Sequence, residues 1–369
     1  MTPLPTTGYD LVDLLTLTRQ IGGSDLHLSI GAPPVARVDG VLTPLPDDPM
    51  EAKRCRELVM AVLTESERSR LEKNWELDFA IQVRDIGRFR GNAHYSRGNL
   101  EAAFRYVPSE IADLRTLGHG ETVEEFCRAR QGLVLVTGMA GAGKSTTLAA
   151  MTKQILNERR GVVTTVEDPI EFTFPHAGSL IKQRQIGIDT HDFANALKAA
   201  VRQDVDVIVV SEMRDQESIA AALTAAETGH LVISTLHTRS AVGTLDRVVD
   251  IFPPSQQPQI ITQLASALVG IVNQKLLPRA DAPGRVMASE VMVMTPALSA
   301  IIRDHRFEQL YGLMQVGTVH GMHTMDSSLY HLLTHGFITA EDALLHARDP
   351  AELKQDFKEF LRAQDKAKR

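Results

Sequence analysis

Cysteine occurs only twice in the 369 residues, as Cys55 and Cys127. That excludes a disulfide framework and a four-thiolate zinc site. Aromatic residues make up 5% of the chain, with a single tryptophan. No basic stretch carries the interleaved aromatics on which single-stranded nucleic acid stacks. Positive charge is in deficit, with 39 Lys and Arg against 46 Asp and Glu and a net charge of −7. This argues against a protein that coats nucleic acid, although a local basic groove is compatible with it. No run approaches the roughly 20 apolar residues that span a bilayer. The N-terminal stretch lacks the basic-then-apolar order of a secretory signal. The expectation is a cytoplasmic protein that meets a membrane only through a partner. Internal repeats and low-complexity tracts are absent. What is present, 43% hydrophobic and 23% charged residues, is the balance of a soluble globular chain long enough for two domains.

The hydrophobic pattern changes along the chain. Leu11, Leu14, Leu15 and Thr18 give helical spacing over residues 9–20. Alternation over Asp25–Ile30 and the segment Val35–Val38 read as strands, with Asp39-Gly40 as a hairpin turn. One polar surface helix is expected over residues 49–73, followed by strands at Leu77–Val83, Gly87–Tyr95 and Leu100–Val107. These make a small α+β domain over residues 1–110. A connecting segment, 111–131, begins at about Ser109 and carries a short helix, Thr122–Arg130. Continuous apolar runs then appear at Leu133–Val136, Val162–Val166, Val207–Val210 and Leu231–Thr235. Such runs mark strands buried on both faces, and alternation with helices implies a parallel sheet with crossover helices. Beyond Pro253-Pro254 the expectation is mostly helix, including Gln257–Leu277 and Met325–His335, with Gly336 as a C-cap and Thr339 opening the next helix. This second domain spans 132–350, and residues 351–369 read as a charged tail that frays. The fold class is α/β.

Gly138-Met139-Ala140-Gly141-Ala142-Gly143-Lys144-Ser145 fits the phosphate-loop pattern G-x-x-x-x-G-K-[ST], placed between a buried strand and the helix from Thr146 to Glu158. Glycine lets the backbone wrap so that successive N–H groups face phosphate oxygens, and the helix N-terminus adds partial positive charge. Lys144 neutralises the β- and γ-phosphates and Ser145 holds Mg²⁺. Gly138, Gly141, Ala142, Gly143, Lys144, Ser145 and Thr146 are therefore the nucleotide-binding residues, with ATP and Mg²⁺ as cofactors. Two acidic clusters end the neighbouring strands: Glu167-Asp168-Pro169-Ile170-Glu171 and Ser211-Glu212-Met213-Arg214-Asp215. Parallel sheets bind ligands beyond the carboxyl ends of their strands, so both clusters converge on the phosphate loop. Either Glu167 or Glu212 could activate water. The choice stays open on chemistry alone.

With these residues in view, the chain resembles the secretion and pilus ATPases. Thr165–Glu171 resembles their Asp box, Val210–Asp215 their Walker B segment, and Thr224–Thr238 their His box. The resemblance extends to Ser24–Ser29, Arg88–Ala93, Asp246–Pro253 and Gly321–Asp326, nearly the whole chain. It points to the type IV pilus retraction (twitching-motility) ATPases, the PilT-like branch. It implies a PAS-like N-terminal domain, a RecA-like P-loop ATPase domain with a helical C-terminal part, and a homohexamer powering pilin removal. It implies partners too: an inner-membrane pilus platform protein and a second retraction ATPase, with no nucleic acid. The location implied is cytoplasmic, peripheral at the inner-membrane base of the pilus machine.

The resemblance also distributes roles. Glu167 is the residue that activates water, and Glu212 is assigned to Mg²⁺. His230 and His237 are placed to sense nucleotide or bridge to a neighbour, with a hydrogen-bonded core role the alternative for each. Of the N-terminal arginines Arg84, Arg88, Arg90, Arg97 and Arg105, the resemblance selects Arg90 and Arg105 as reaching the phosphates; a solvated strand face is the alternative. A planar guanidinium suits that task because it spreads charge over two phosphoryl oxygens.

There are departures from the family pattern. Met139, Ala140 and Ala142 replace the usual Pro, Thr and Ser of the loop, and Ser211 stands where Gly is usual. In Pro296–Arg303, Ser299 takes the place of the internal Arg of the Ala-Ile-Arg-x-Leu-Ile-Arg motif associated with retraction. An accessory, PilU-like ATPase dependent on a second motor is therefore an alternative. A pilus assembly or type II secretion ATPase is disfavoured because two cysteines cannot supply its four-cysteine zinc insertion. A nucleic-acid motor and a non-hydrolysing adaptor fit less well still, the latter because Lys144, Ser145, Glu167 and Glu212 are intact. His320 and His323 read as surface residues.

Overall fold

The computed structural model describes residues 8–107 and 110–367. The expected start of the connecting segment at Ser109 and the last two residues of the tail lie outside the described residues. The chain divides into two compact units, Met1–Glu110 with Asp168–Thr173, and Ile111–Glu167 with Phe174–Arg369. Two placements differ from the sequence reading. Asp168–Thr173, although it follows a strand of the second unit, groups with the first. The segment 111–131 joins the second unit, because Val123, Phe126 and Cys127 are buried in a cluster with Val134 and Val136.

The first unit runs α1 (Leu11–Gln20), β1 (Asp25–Leu28), β2 (Val35–Val38), β3 (Val41–Pro44), α2 (Ala52–Val62), α3 (Glu65–Asn74), β4 (Glu76–Val83), β5 (Gly87–Ser96) and β6 (Asn99–Val107). Its antiparallel sheet has the order β3-β2-β1-β6-β5-β4. Period-2 alternation sorts the two faces: in β5, Phe89, Gly91 and Ala93 are buried while Arg88, Arg90 and Asn92 are not. A Cβ on Gly91 would lie 2.5 Å from the Phe79 ring, so only glycine admits that ring. Asp39 and Gly40 both have positive φ, as a two-residue hairpin turn requires. The single helix expected over 49–73 is two. Thr64 interrupts it with a capping box, its amide donating to Glu67 Oε2 (2.9 Å) and its hydroxyl accepting from the Glu67 amide (3.3 Å).

The second unit runs α4 (Glu121–Arg128), β7 (Gly132–Thr137), α5 (Lys144–Glu158), β8 (Val162–Glu167), β9 (Leu180–Gln185), α6 (Phe193–Ala200), β10 (Val207–Val210), α7 (Gln216–Glu227), β11 (Leu231–Leu236), α8 (Ala241–Asp250), α9 (Gln257–Ala267), β12 (Leu268–Pro278), β13 (Arg285–Val293), α10 (Pro296–Arg303), α11 (Leu310–Val316), α12 (Met325–Thr334), α13 (Ala340–His346) and α14 (Pro350–Ala367). The sheet order is β13-β12-β7-β11-β10-β8-β9. Every neighbouring pair is parallel except β12 with β13.

The helix expected over Gln257–Leu277 stops at Ala267, and the chain continues as β12. Buried on both faces along most of its length, β12 shows no alternation, so an apolar run there reads equally as helix or strand. Gly270 decides part of the packing, since a Cβ there would meet the Phe126 ring at 2.2 Å. The charged tail expected to fray is the helix α14. Asp349 Oδ1 accepts from the amides of Ala351 and Glu352 at its start, both at 3.0 Å, and Leu353 is buried with Leu329, Leu333 and Ile338. Among the described residues, no helix is long and apolar enough to cross a membrane.

Candidate functional site

Strand β7 is buried along its whole length and delivers Gly138 to the carboxyl edge of the sheet. Gly138 has φ +147°, and a Cβ there would come 2.5 Å from the backbone oxygen of Gln274. Gly143, at φ +88°, caps α5. The loop between them turns the chain back on itself and points Lys144 inward. Lys144 Nζ donates to Gly138 O (2.9 Å) and Met139 O (3.2 Å) and lies 3.3 Å from His237 Nδ1. Burial holds this ammonium below the ordinary lysine range, opposed by the Glu212 carboxylate. Ser145 is exposed and Thr146 half-buried on the first turn of α5.

The sheet register brings the other groups to the same edge. Thr137 pairs with Leu236, Val210 with Ser234, and Val166 with Val210, so the residues that follow these strands emerge together. Glu212 Oε1 lies 3.2 Å from His237 Nε2 and Glu212 Oε2 lies 3.0 Å from Arg214 Nη2. An ammonium can only donate, so His237 Nδ1 accepts from Lys144 and its Nε2–H faces Glu212. Lys144, His237 and Glu212 thus form one contact chain across three loops. At the end of β8, Glu167 Oε1 accepts from Thr165 Oγ1 (2.6 Å) and Gln183 Nε2 (3.2 Å). Ser211 is held in register, its carbonyl accepting from Thr235 Oγ1 at 2.6 Å.

His230 is not brought to this edge. It precedes β11, where its carbonyl accepts from Gly132 N (3.0 Å) and its Nδ1 lies 3.1 Å from Ala225 O. The six residues of β11 lie between it and His237, seven steps or roughly 23 Å at the usual rise. Within one chain it does not touch the phosphate loop. In the first unit, Arg90 and Arg105 stand directly opposite each other on β5 and β6. Arg105 Nε donates to Asp25 Oδ1 (2.8 Å), Arg90 Nη1 to Glu171 Oε1 (3.1 Å), and Arg88 Nε to Ile170 O (2.8 Å). The second glutamate of the Asp box, Glu171, therefore pairs with an arginine of the first unit.

Two further results depart from the sequence reading. His323 is half-buried rather than a free surface residue: it pairs with Val291 as an isolated bridge, its Nε2 lies 3.1 Å from Ser289 Oγ, and burial lowers its pKa. His320 is exposed, as expected. Asn273 on β12 carried no motif signal. Fully buried, its Nδ2 donates to Thr137 Oγ1 (2.9 Å) and Thr238 O (3.1 Å), tying the root of the phosphate loop to the residue after His237. Cys55 and Cys127 are buried in separate units, and burial pushes their thiols up to about 11 and about 12.

The residues fit a magnesium nucleotide. A buried lysine ammonium faces carbonyls within a loop of positive-φ glycines, which is the cradle an anionic phosphate fills. The exposed Ser145 hydroxyl and the Glu212 carboxylate are hard oxygen donors of the kind Mg²⁺ takes.

Comparison with known proteins identifies the family. Residues 36–345 match the family model described as type II/IV secretion system protein. The chain is 41% identical over 348 residues to the type IV pilus retraction ATPase PilT of Pseudomonas aeruginosa, covering 94% of this chain and all of that protein. It is 39% identical to the type IV pilus ATPase PilU of the same organism, covering 92% of this chain and 89% of that one. A crystal structure of the pilus retraction motor PilT with bound ADP superposes with a TM-score of 0.87 at 43% identity, over 94% of this chain and all of that one. The chain belongs to the type II/IV secretion system protein family and, within it, to the PilT-like ATPases.

Proposed function

We propose that this protein hydrolyses ATP, with Mg²⁺, to power retraction of type IV pili as a cytoplasmic homohexamer. The observation that carries the reading is the Lys144–His237–Glu212 chain at the mouth of the phosphate loop, in a protein similar along nearly its whole length to a retraction ATPase. Backbone N–H groups of Gly141 to Thr146 and the Lys144 ammonium bind the phosphates. Glu167, whose Oε1 is already oriented by Thr165 and Gln183, takes the proton of the attacking water. Glu212 is the poorer base because both its oxygens face positive or donating groups; with Ser145 it holds Mg²⁺. When bound, the metal neutralises charge on the β- and γ-phosphates. Arg90 and Arg105 supply positive charge to the transferring phosphoryl group. His230, distant from the loop of its own chain, bridges to a neighbouring subunit. The ring works at the inner-membrane base of the pilus machine, against a platform protein.

The test is a count of surface pili in cells carrying Lys144→Ala at the native locus. Excess pili with lost surface motility is the expected result, and bald cells would place the protein on the assembly side. A second reading, an accessory ATPase that depends on another retraction motor, is favoured by Ser299. Its hydroxyl is committed to Ala265 O at 2.7 Å, leaving Arg303 as the lone arginine of α10. Unchanged piliation in the Lys144→Ala cells would select it.

A further inference from the structure

Beneath the phosphate loop lies a buried hydrogen-bond chain that none of the sequence motifs contains. Gln274, on β12, is 1% exposed, Thr147 on α5 is 1% exposed, and His119, from the segment that leads into α4, is 5% exposed. Gln274 Nε2 donates to the Ala142 carbonyl at 2.6 Å. Thr147 Oγ1 lies 3.0 Å from Gln274 Oε1, and His119 Nε2 lies 2.9 Å from Thr147 Oγ1. Chemistry sets every proton in this chain. The Ala142 carbonyl can only accept, so the amide NH₂ of Gln274 faces it and Oε1 faces Thr147. The Thr147 proton then points at Oε1, and its oxygen must accept from His119 Nε2–H. The His119 ring is thereby held in one tautomer, with Nδ1 buried and bare of any partner among the described residues. Desolvation lowers its pKa to about 4, so the ring stays neutral and the chain keeps its polarity at physiological pH.

The same residue also packs against the loop glycines. A Cβ on Gly143 would approach Gln274 Nε2 at 3.1 Å, and one on Gly138 would approach the Gln274 backbone oxygen at 2.5 Å. The first and last glycines of the pattern thus rest on one residue of β12. The loop carries its binding N–H groups between these two supports. A carbonyl that turned away from Gln274 would rotate the Ala142–Gly143 peptide and swing the Gly143 N–H with it.

We propose that Gln274 and His119 are positioning residues for the nucleotide, joined through Thr147 into a chain that holds the phosphate loop in its phosphate-receiving shape. The inference rests on the reading of this site as a nucleotide site. Since breaking the chain orphans the buried Ala142 acceptor, it weakens nucleotide binding roughly tenfold.

The test is equilibrium binding of ADP, with Mg²⁺ present, to the purified full-length protein, paired with steady-state ATP turnover. Gln274→Met keeps the length of the side chain and removes both polar atoms. It is expected to raise the ADP Kd and the KM for ATP about tenfold while kcat stays within threefold. Thr147→Ser keeps the hydroxyl and is expected to bind as wild type, whereas Thr147→Val matches Gln274→Met. His119→Phe, which leaves Thr147 and Gln274 in place, gives a smaller loss in the same direction. Wild-type protein that fails to bind ADP would refute the nucleotide reading itself. Wild-type binding with unchanged Kd in Gln274→Met and Thr147→Val would overturn the positioning chain alone. Equal losses in Thr147→Ser and Thr147→Val would also overturn it, because packing rather than the hydroxyl would then be responsible.

Discussion

Replacing His237 by Phe tests whether the Lys144–His237–Glu212 chain operates during hydrolysis. Phe keeps most of the ring volume, so packing changes little, and both ring nitrogens are lost. One accepted from Lys144 at 3.3 Å and the other faced Glu212 at 3.2 Å. Hydrogen bonds to charged groups contribute about 1.5–3 kcal/mol when enclosed. The His237 side chain is 44% exposed, and water that refills the gap reduces each to about 1 kcal/mol. If both contacts are made in full only as the phosphoryl group transfers, their loss raises the barrier by about 2 kcal/mol, which is roughly 30-fold in kcat. Phosphate release at saturating ATP measures it, with a thermal melt to show that the fold is intact. A kcat within threefold of wild type would refute the reasoning. A loss confined to KM would do so as well, since it would mean that His237 serves binding and is idle in the chemical step.

Two further predictions follow from the same geometry. Glu290 on β13 is 4% exposed and accepts from the Ala241 amide at 2.5 Å; burial nonetheless raises its pKa above 4.5, against the pull of that amide and Lys275. A carboxyl whose folded value is raised takes up a proton more readily folded than unfolded, so stability falls as pH rises through the window above 4.5. Glu290→Gln should therefore melt higher than wild type at pH near 8, the difference closing as pH falls to the ordinary glutamate value; a constant difference across the range would contradict it. Gly138→Ala sets a Cβ 2.5 Å from a backbone oxygen at φ +147°. Strain on the order of 1–3 kcal/mol from the backbone alone should weaken ADP binding roughly 5- to 150-fold while the first unit, followed by Trp75 fluorescence, unfolds unchanged. Retained ADP affinity would show that the loop relaxes.

The phosphate loop was legible because its chemistry is local: glycines, lysine and hydroxyl lie within eight consecutive residues, between a buried run and a helix. The acid clusters were legible because strand ends can be counted from apolar runs. Strand β12 was not, for a physical reason. Flanked by β7 and β13 and buried on both faces, it has neither period-2 alternation nor a polar face, so its apolar run merged with the preceding α9. The same burial hid Asn273 and Gln274, whose roles depend on loops more than a hundred residues earlier in the chain. The division of α2 from α3 was readable at Thr64 and Glu67, whose spacing is that of a capping box. The length of the polar stretch obscured it.

His230 and His237 share one sequence motif and sit at opposite ends of one strand. Sequence spacing alone places them seven residues apart. The pairing of β11 with β7 puts His237 beside Lys144 and His230 beside Gly132. Glu167 and Glu171 divide similarly, the first on β8 of the second unit and the second paired with Arg90 in the first unit. By itself, the sequence determined that a nucleotide loop is present, which acids flank it, and that a parallel sheet carries them, since each rests on short-range pattern and backbone sterics. Only the tertiary structure decided which of those residues meet and which buried side chains hold the loop from below, because hydrogen-bond partners across strands are set by sheet order and register, and these emerge only when the chain packs.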